Sequence, residues 1–128
     1  MKKIMPKTGM TFTSETVVVL SNCAVTMGSG DLEVFATPAM VALMENAAMN
    51  AVAPALPQGA TTVGAEMNTT HIKPSAIGAQ VRATAKLTAV EGRKLTFDVE
   101  ACDGQGTIGK GVHVRFVVDK ERFMAKLG

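Results

Sequence analysis

The sequence contains no Trp and no Tyr, and only five Phe. Met is used heavily in their place, with nine copies. Its flexible thioether fills irregular gaps in a core and also suits an adaptable apolar pocket. Charge of one sign is lacking too: 13 Lys and Arg stand against 11 Asp and Glu, a net +2. That is too mild for the basic patch or stripe that nucleic acid requires, but it is compatible with a small anionic ligand. Arg115, Lys120, Arg122 and Lys126 gather near the C-terminus, either to meet phosphates or as ordinary solvated surface. Cysteine is scarce: Cys23 and Cys102 show no metal-ligand spacing and read as free thiols of a reducing cytoplasm. No zinc pattern, P-loop or GxSxG is present. Two distant His and scattered carboxylates are too few for a metal site. No metal and no cofactor is therefore expected, which favours a hydrolytic or binding role.

Long uninterrupted apolar runs are also missing. The start, MKKIMPK, is basic but has no apolar run behind it, so a secretory signal is not expected. The apolar stretch 34–56 is broken by Pro38, Glu45, Asn46, Asn50 and Pro54. A carboxylate at mid-membrane costs about 2.5–3.5 kcal/mol on insertion scales. The stretch therefore reads as a buried helix, with no membrane partner expected. What is present suits a globular chain: 128 residues, 47% hydrophobic and 19% charged, enough for one domain over 1–128 with its own core.

The pattern along the chain predicts a strand over 11–20, then a loop through the glycines and Asp31 of MGSGD at 27–31. A helix follows. Thr37 is suited to its N-cap, Pro38 to its first turn, and Pro54 and Pro57 to its end. Ala47, Ala48 and Ala51 allow close approach to a sheet, and the scarcity of polar residues predicts a mostly enclosed helix. The remainder is strand-like: 61–72, then apolar alternation at 81–89, then Leu95–Ala101, with turns at 91–92 and 103–104. Ile108, Val112, Val114, Phe116 and Val118 are the expected apolar face of the last strand, which leaves His113 on the opposite parity. A short helix over 119–127 is expected to close the chain. Runs of antiparallel strands with one segregated helix argue α+β, a curved sheet wrapped round one long helix.

Glu45 is the most informative side chain. Val41, Ala48 and Met49 lie one turn either side of it, so it falls on an apolar stripe. A carboxylate there is costly unless paired or hydrogen-bonded, and it suits a general base; the alternative is an edge position where Glu reaches solvent. Capping alone explains Thr37, yet a hydroxyl beside free amides at a helix start can also help hold a developing oxyanion. His71 and His113 compete as the histidine of a site, and spacing does not choose between them. Gly64 interrupts a strand, either for a β-bulge or for close approach of a ligand or backbone.

The segments EVFATPAMVALMENAA (33–48) and TTVGAEMNTTHIKPSAIGAQVRATAKLTAVEGRKLTFDVEACDGQGTIGKGVHVRFVVDKERF (61–123) resemble the fluoroacetyl-CoA thioesterase-like family. The most specific pieces are ATPAMVALME, TVG…TH and the late GxHxRF. The resemblance implies a hotdog fold, a homodimer with sites at the subunit junction, and acyl-CoA thioester hydrolysis, with coenzyme A present only as part of the substrate. It implies Thr37, Glu45 and His71 as the catalytic group, and it is what favours His71 over His113. It also matches Gly64 and Arg115 to substrate-contacting positions, with Phe35 beside them. In the mechanism it implies, Glu45 attacks the carbonyl or activates water. His71 passes a proton to the leaving thiolate, and Thr37 polarises the carbonyl or is itself the nucleophile. The chain departs from the namesake just before the helix. Where the fluoroacetyl-specific enzyme carries lid phenylalanines, this chain reads MGSGDLEVF, with Phe35 its only aromatic. A more open pocket and a small acyl group other than fluoroacetyl are expected. Two other roles fit the same fold: an acyl-thioester hydratase or dehydratase, and an acyl-CoA-binding sensor.

Overall fold

The computed structural model describes residues 5–128. The first four residues, with most of the basic start discussed above, lie outside the described residues. Strand β1 spans Thr11–Val17 and is followed by a 3-10 turn at Leu20–Asn22 and the short helix α1, Ala24–Met27. The long helix α2 spans Thr37–Val52 and runs into a 3-10 turn at Ala53–Ala55. Then come β2 (Ala60–Thr69), β3 (Gln80–Glu91), β4 (Lys94–Asp103), β5 (Gly106–Asp119) and α3 (Lys120–Ala125). The strands form one five-stranded sheet in the order β1-β3-β4-β5-β2, and every neighbouring pair is antiparallel. This is the α+β hotdog architecture, with α2 seated in the curve of the sheet, mostly over β1 and β3. Among the described residues, no helix is long and apolar enough to cross a membrane.

The core follows the sequence pattern where that pattern is simplest. Val81, Ala83, Ala85 and Leu87 of β3 face inward beside Leu95, Phe97, Val99 and Ala101 of β4. They meet Met40, Met44, Ala47, Ala48, Ala51 and Val52 of α2 in one apolar cluster. The alanines bring the helix backbone close to the sheet, and the methionines fill the gaps.

Three expectations are corrected. First, the N-cap of α2 is Ala36, not Thr37, and it makes no side-chain capping bond. The Thr37 hydroxyl bonds elsewhere, as described below. Second, α2 is enclosed on one side only: Ala42, Asn46 and Met49 form an exposed stripe. Third, the apolar face expected of β5 is buried only in part: Ile108 and Val114 are buried and Val118 is half-buried, but the other two are not. Val112 and Phe116 are 43% and 39% exposed, whereas His113 and Arg115 are 0% and 7% exposed. The register pairs Gly109, Gly111, His113 and Arg115 with the inward Ala101, Val99, Phe97 and Leu95. Residues opposite each other in an antiparallel pair share a face, so β5 turns two glycines, a histidine and an arginine inward.

Candidate active site

The start of α2 and the chain just beyond β2 make the first half of the site. Main-chain bonds from Thr70 N to Lys110 O (3.0 Å) and from Ile72 N to Ile108 O (2.7 Å) hold this segment along β5. Glycine is required opposite it. A Cβ on Gly109 would collide with the Thr70 carbonyl and the Met40 side chain, and one on Gly111 with the Asn68 carbonyl. This close approach delivers His71 to the helix start, where its Nδ1 lies 2.7 Å from Thr37 Oγ1. Nε2 of the same ring is buried with no hydrogen-bond partner among the described residues. Burial lowers the His71 pKa from its ordinary value, against a smaller raising effect from the Lys73 backbone, so the ring is neutral at neutral pH. Beside the pair is a cavity of about 260 Å³ lined by Ala24, Ser29, Val34, Phe35, Thr37, His71, Ile72, Lys73 and Pro74. Phe35 is fixed in place: 2% exposed, bridged to Cys23, and bonded through its amide to Ser75 O at 2.9 Å.

The second half lies along α2 and across the middle of β2. Glu45 is half-buried at the border between the core face and the exposed stripe, the edge position of the two its sequence allowed. Its carboxylate rests against Gly64, and a Cβ built there would stand 2.9 Å from Glu45 Oε2 and 3.5 Å from Arg115 Nη1. The β-bulge weighed for Gly64 is present, because the ladder shifts register between Gly64 and Glu66. Arg115 is held from β2: Nε donates to Thr62 Oγ1 at 2.8 Å and Nη2 to the Thr62 carbonyl at 2.9 Å. Burial lowers its pKa from the ordinary value, and the Glu45 charge opposes that shift. Glu45 and Arg115 do not form a direct ion pair within 4.0 Å. A cleft of about 430 Å³ opens here, lined by Ala42, Glu45, Asn46, Met49, Thr62, Val63, Gly64 and Arg115.

His113 lies behind this cleft, not in it. Its Nδ1 is 2.7 Å from the Glu66 carbonyl, and its Nε2 is 3.2 Å from Arg115 Nη1. Both nitrogens are thus engaged, whereas His71 keeps one free.

One chain therefore carries two clusters. Glu45 lies eight positions beyond Thr37 on α2, a rise of about 12 Å. His71 lies seven positions beyond Gly64, roughly 23 Å of extended chain that runs past the end of β2. Thr37 and His71 touch, Glu45, Gly64 and Arg115 lie together, and the two groups do not meet. Thr62, Gly109 and Gly111 are structural partners that the sequence reading did not single out. The available signal was the run of Gly, His and Arg on one parity of β5. Among the described residues, no three His, Cys, Asp or Glu gather as a metal site would need.

Comparison with known proteins fixes the class. The family model described as fluoroacetyl-CoA-specific thioesterase matches residues 18–121. The fluoroacetyl-CoA thioesterase of Streptantibioticus cattleyicolor is 45% identical over 95 residues, which cover 74% of this chain and 68% of that protein. A single-residue variant of the fluoroacetyl-CoA-specific thioesterase FlK, solved with fluoroacetate and CoA, aligns with a TM-score of 0.86 at 37% identity, covering 92% of this chain and 99% of that one. A Thermus thermophilus thioesterase superfamily member aligns at 0.87 with 28% identity, covering 99% and 93%. Fold and relatives together define a hotdog thioester hydrolase. Within that class, the chain belongs to the fluoroacetyl-CoA-specific thioesterase family.

Proposed function

We propose that this chain, acting over 1–128 as one hotdog domain in a cytoplasmic homodimer, hydrolyses a small acyl-CoA other than fluoroacetyl-CoA. The reading gives Thr37, Glu45 and His71 the catalytic roles and Gly64, Arg115 and Phe35 the substrate contacts. One observation carries it: His71 Nε2 is buried without a partner, while the Glu45 carboxylate rests, also unbonded, on a different part of the same chain. An unpaired buried donor and an unpaired carboxylate complement each other.

A second copy supplies the join. β2 is an edge strand, and the exposed stripe of α2 adds further uncovered surface. An isologous contact pairs a surface with itself. If two β2 edges pair antiparallel about a centre between Met67 and Asn68, Gly64 of one copy comes opposite His71 of the other. Each junction then holds Thr37 and His71 from one chain with Glu45, Gly64 and Arg115 from the second.

Chemistry follows from that grouping. The acyl group enters the small cavity at the helix start, which has room for a short chain and leaves the coenzyme outside. Amides of the first turn of α2 polarise the thioester carbonyl, while the Thr37 hydroxyl donates to His71 Nδ1 and so keeps the ring hydrogen on Nε2. Glu45 drives addition at the carbonyl carbon, directly or through a water, and the C–S bond breaks. The His71 Nε2–H gives the departing thiolate its proton, and the proton released by the attacking water returns through Glu45 to Nε2. Water's oxygen ends on the acyl carbon, and the products are a carboxylic acid and free coenzyme A. Among the described residues the buried Phe35 is the only phenylalanine that lines the cavity, which supports an acyl group other than fluoroacetyl. Acyl-CoA and a second copy are the partners in this reading; nucleic acid, membrane, metal and resident cofactor have no part in it.

Thiol release from a panel of short acyl-CoAs, fluoroacetyl-CoA included, tests the reading. Turnover on a short acyl-CoA in preference to fluoroacetyl-CoA is expected, falling by roughly 10²–10⁴-fold in Glu45→Ala. Preference for fluoroacetyl-CoA would overturn the substrate assignment, and full activity in Glu45→Ala would overturn the mechanism.

A further inference from the structure

The buried histidine of β5 has a job that the chemistry above does not use. We propose that His113 is a positioning residue: its ring, anchored on the Glu66 carbonyl, aims the Arg115 guanidinium at the site where the Glu45 carboxylate meets Gly64. This rests on the reading of Glu45 and Arg115 as parts of the active site.

The proton inventory of the ring dictates the arrangement. A carbonyl only accepts, so at 2.7 Å from Glu66 O the His113 Nδ1 carries a hydrogen and donates it. A neutral ring then has its lone pair on Nε2, where Arg115 Nη1 donates at 3.2 Å. A doubly protonated ring would set two cations face to face. Burial and the Arg115 charge both disfavour that form, and together they outweigh the Glu66 carbonyl bond and the Glu45 charge, which favour it. Phe97 lies beside the ring in a tilted arrangement, with centroids 6.3 Å apart.

Arg115 needs the His113 ring at one nitrogen. Thr62 takes hydrogens from Nε and Nη2. Nη1 is the nitrogen nearest the Gly64 face, and His113 is its only hydrogen-bond partner among the described residues. Accepting one of the two Nη1 hydrogens leaves the other for the cleft. A freely turning guanidinium would lose that direction, and long side chains carry considerable rotamer entropy.

Two substitutions split the two edges of the ring. In His113→Gln the amide oxygen falls near the place of Nε2 and keeps an acceptor for Arg115. In His113→Asn the amide nitrogen falls near Nδ1 and keeps the donor to Glu66, but the acceptor is lost. With a short acyl-CoA, His113→Gln is expected to hold kcat within about threefold. His113→Asn should lower kcat by about 10- to 100-fold, the size expected for one charge-assisted hydrogen bond, with KM little changed. Adding His113→Asn to Arg115→Met should lower kcat no further, because the two residues act as one unit. Equal kcat in the Gln and Asn variants, Asn above Gln, or simple additivity with Arg115→Met would overturn the proposal. Glu45→Ala in the same assay separates the two failures. If it retains turnover, the functional reading falls and this inference with it; if it is inactive while the His113 variants behave alike, only this inference falls. Ring 15N NMR of the unaltered protein is a check that does not depend on the folding of any variant. It should show His113 protonated at Nδ1 and bare at Nε2 at neutral pH, and the opposite tautomer would overturn the proposal.

Discussion

The β3–β4 hairpin and the β5–β2 pair are neighbours in one sheet, yet they use their inward positions differently. In the hairpin, every second residue from Val81 to Leu87 and from Leu95 to Ala101 is apolar and buried. Along β5 the same inward register carries Gly109, Gly111, His113 and Arg115, and across from it β2 bulges after Gly64. The hairpin is packing. In the β5–β2 pair, missing side chains make room for backbone and carboxylate, and buried polar groups hold each other in place. A charged or polar group is costly to bury without partners, so its appearance on the inward parity marks a region built for chemistry.

Substitutions in the two regions should separate activity from stability. The largest effect is expected at Gly64→Val. Its side chain would occupy the space of the Glu45 carboxylate and should reduce turnover by about 10²-fold or more, with thermal unfolding still cooperative. Leu87→Ala, in the hairpin, should do the reverse. It is expected to cost about 2–5 kcal/mol in chemical denaturation while kcat per folded molecule stays the same. If Leu87→Ala instead cut kcat as deeply as Gly64→Val, the division of labour would be broken.

Acid should bear on the β5–β2 side and on the start of α2. His71 and His113 both have pKa values lowered from 6.5, chiefly by burial. Below that pH the unfolded chain binds protons that the folded chain resists, so stability is full above about 6.5 and declines as pH falls through the lowered folded values. Denaturation across pH 5–8 should show this slope, and His113→Gln should reduce it. A slope of opposite sign would contradict the buried neutral rings. The smallest effect belongs to the surface. Arg82→Ala removes the Arg82–Glu15 pair, whose side chains are 65% and 60% exposed. It should change stability by at most about 1 kcal/mol, and activity not at all.

How legible each region was in the sequence follows the same division. β3, β4 and the small-residue face of α2 could be read directly, because hydrophobic period and burial agree there. On β5, Ile108, Val112, Val114, Phe116 and Val118 made a convincing apolar face, yet of these only Ile108 and Val114 are buried, and His113 and Arg115 are buried beside them. Period reports burial only when the buried side is also the apolar side. Thr37 was placed at the right end of α2, but its hydroxyl serves His71 and not the helix amides, a pairing that depends on glycines more than thirty residues further on. Helix geometry left Glu45 open between a core and an edge position, and contact with Gly64 across the fold decides for the edge. The grouping of Thr37, Glu45 and His71 came from family resemblance, since no spacing within one chain brings them together.

The central claim is that each active site takes Thr37 and His71 from one copy and Glu45 from another, and mixing two inactive variants tests it most directly. Glu45→Ala and His71→Ala are each expected to be inactive alone. If they are unfolded together, refolded as a mixture and assayed for thiol release, half of the dimers are mixed and each mixed dimer holds one intact site. About a quarter of the unaltered activity should return. No recovery from a mixture shown to contain mixed dimers would mean that each site is built within a single chain, and the shared-site account would be wrong.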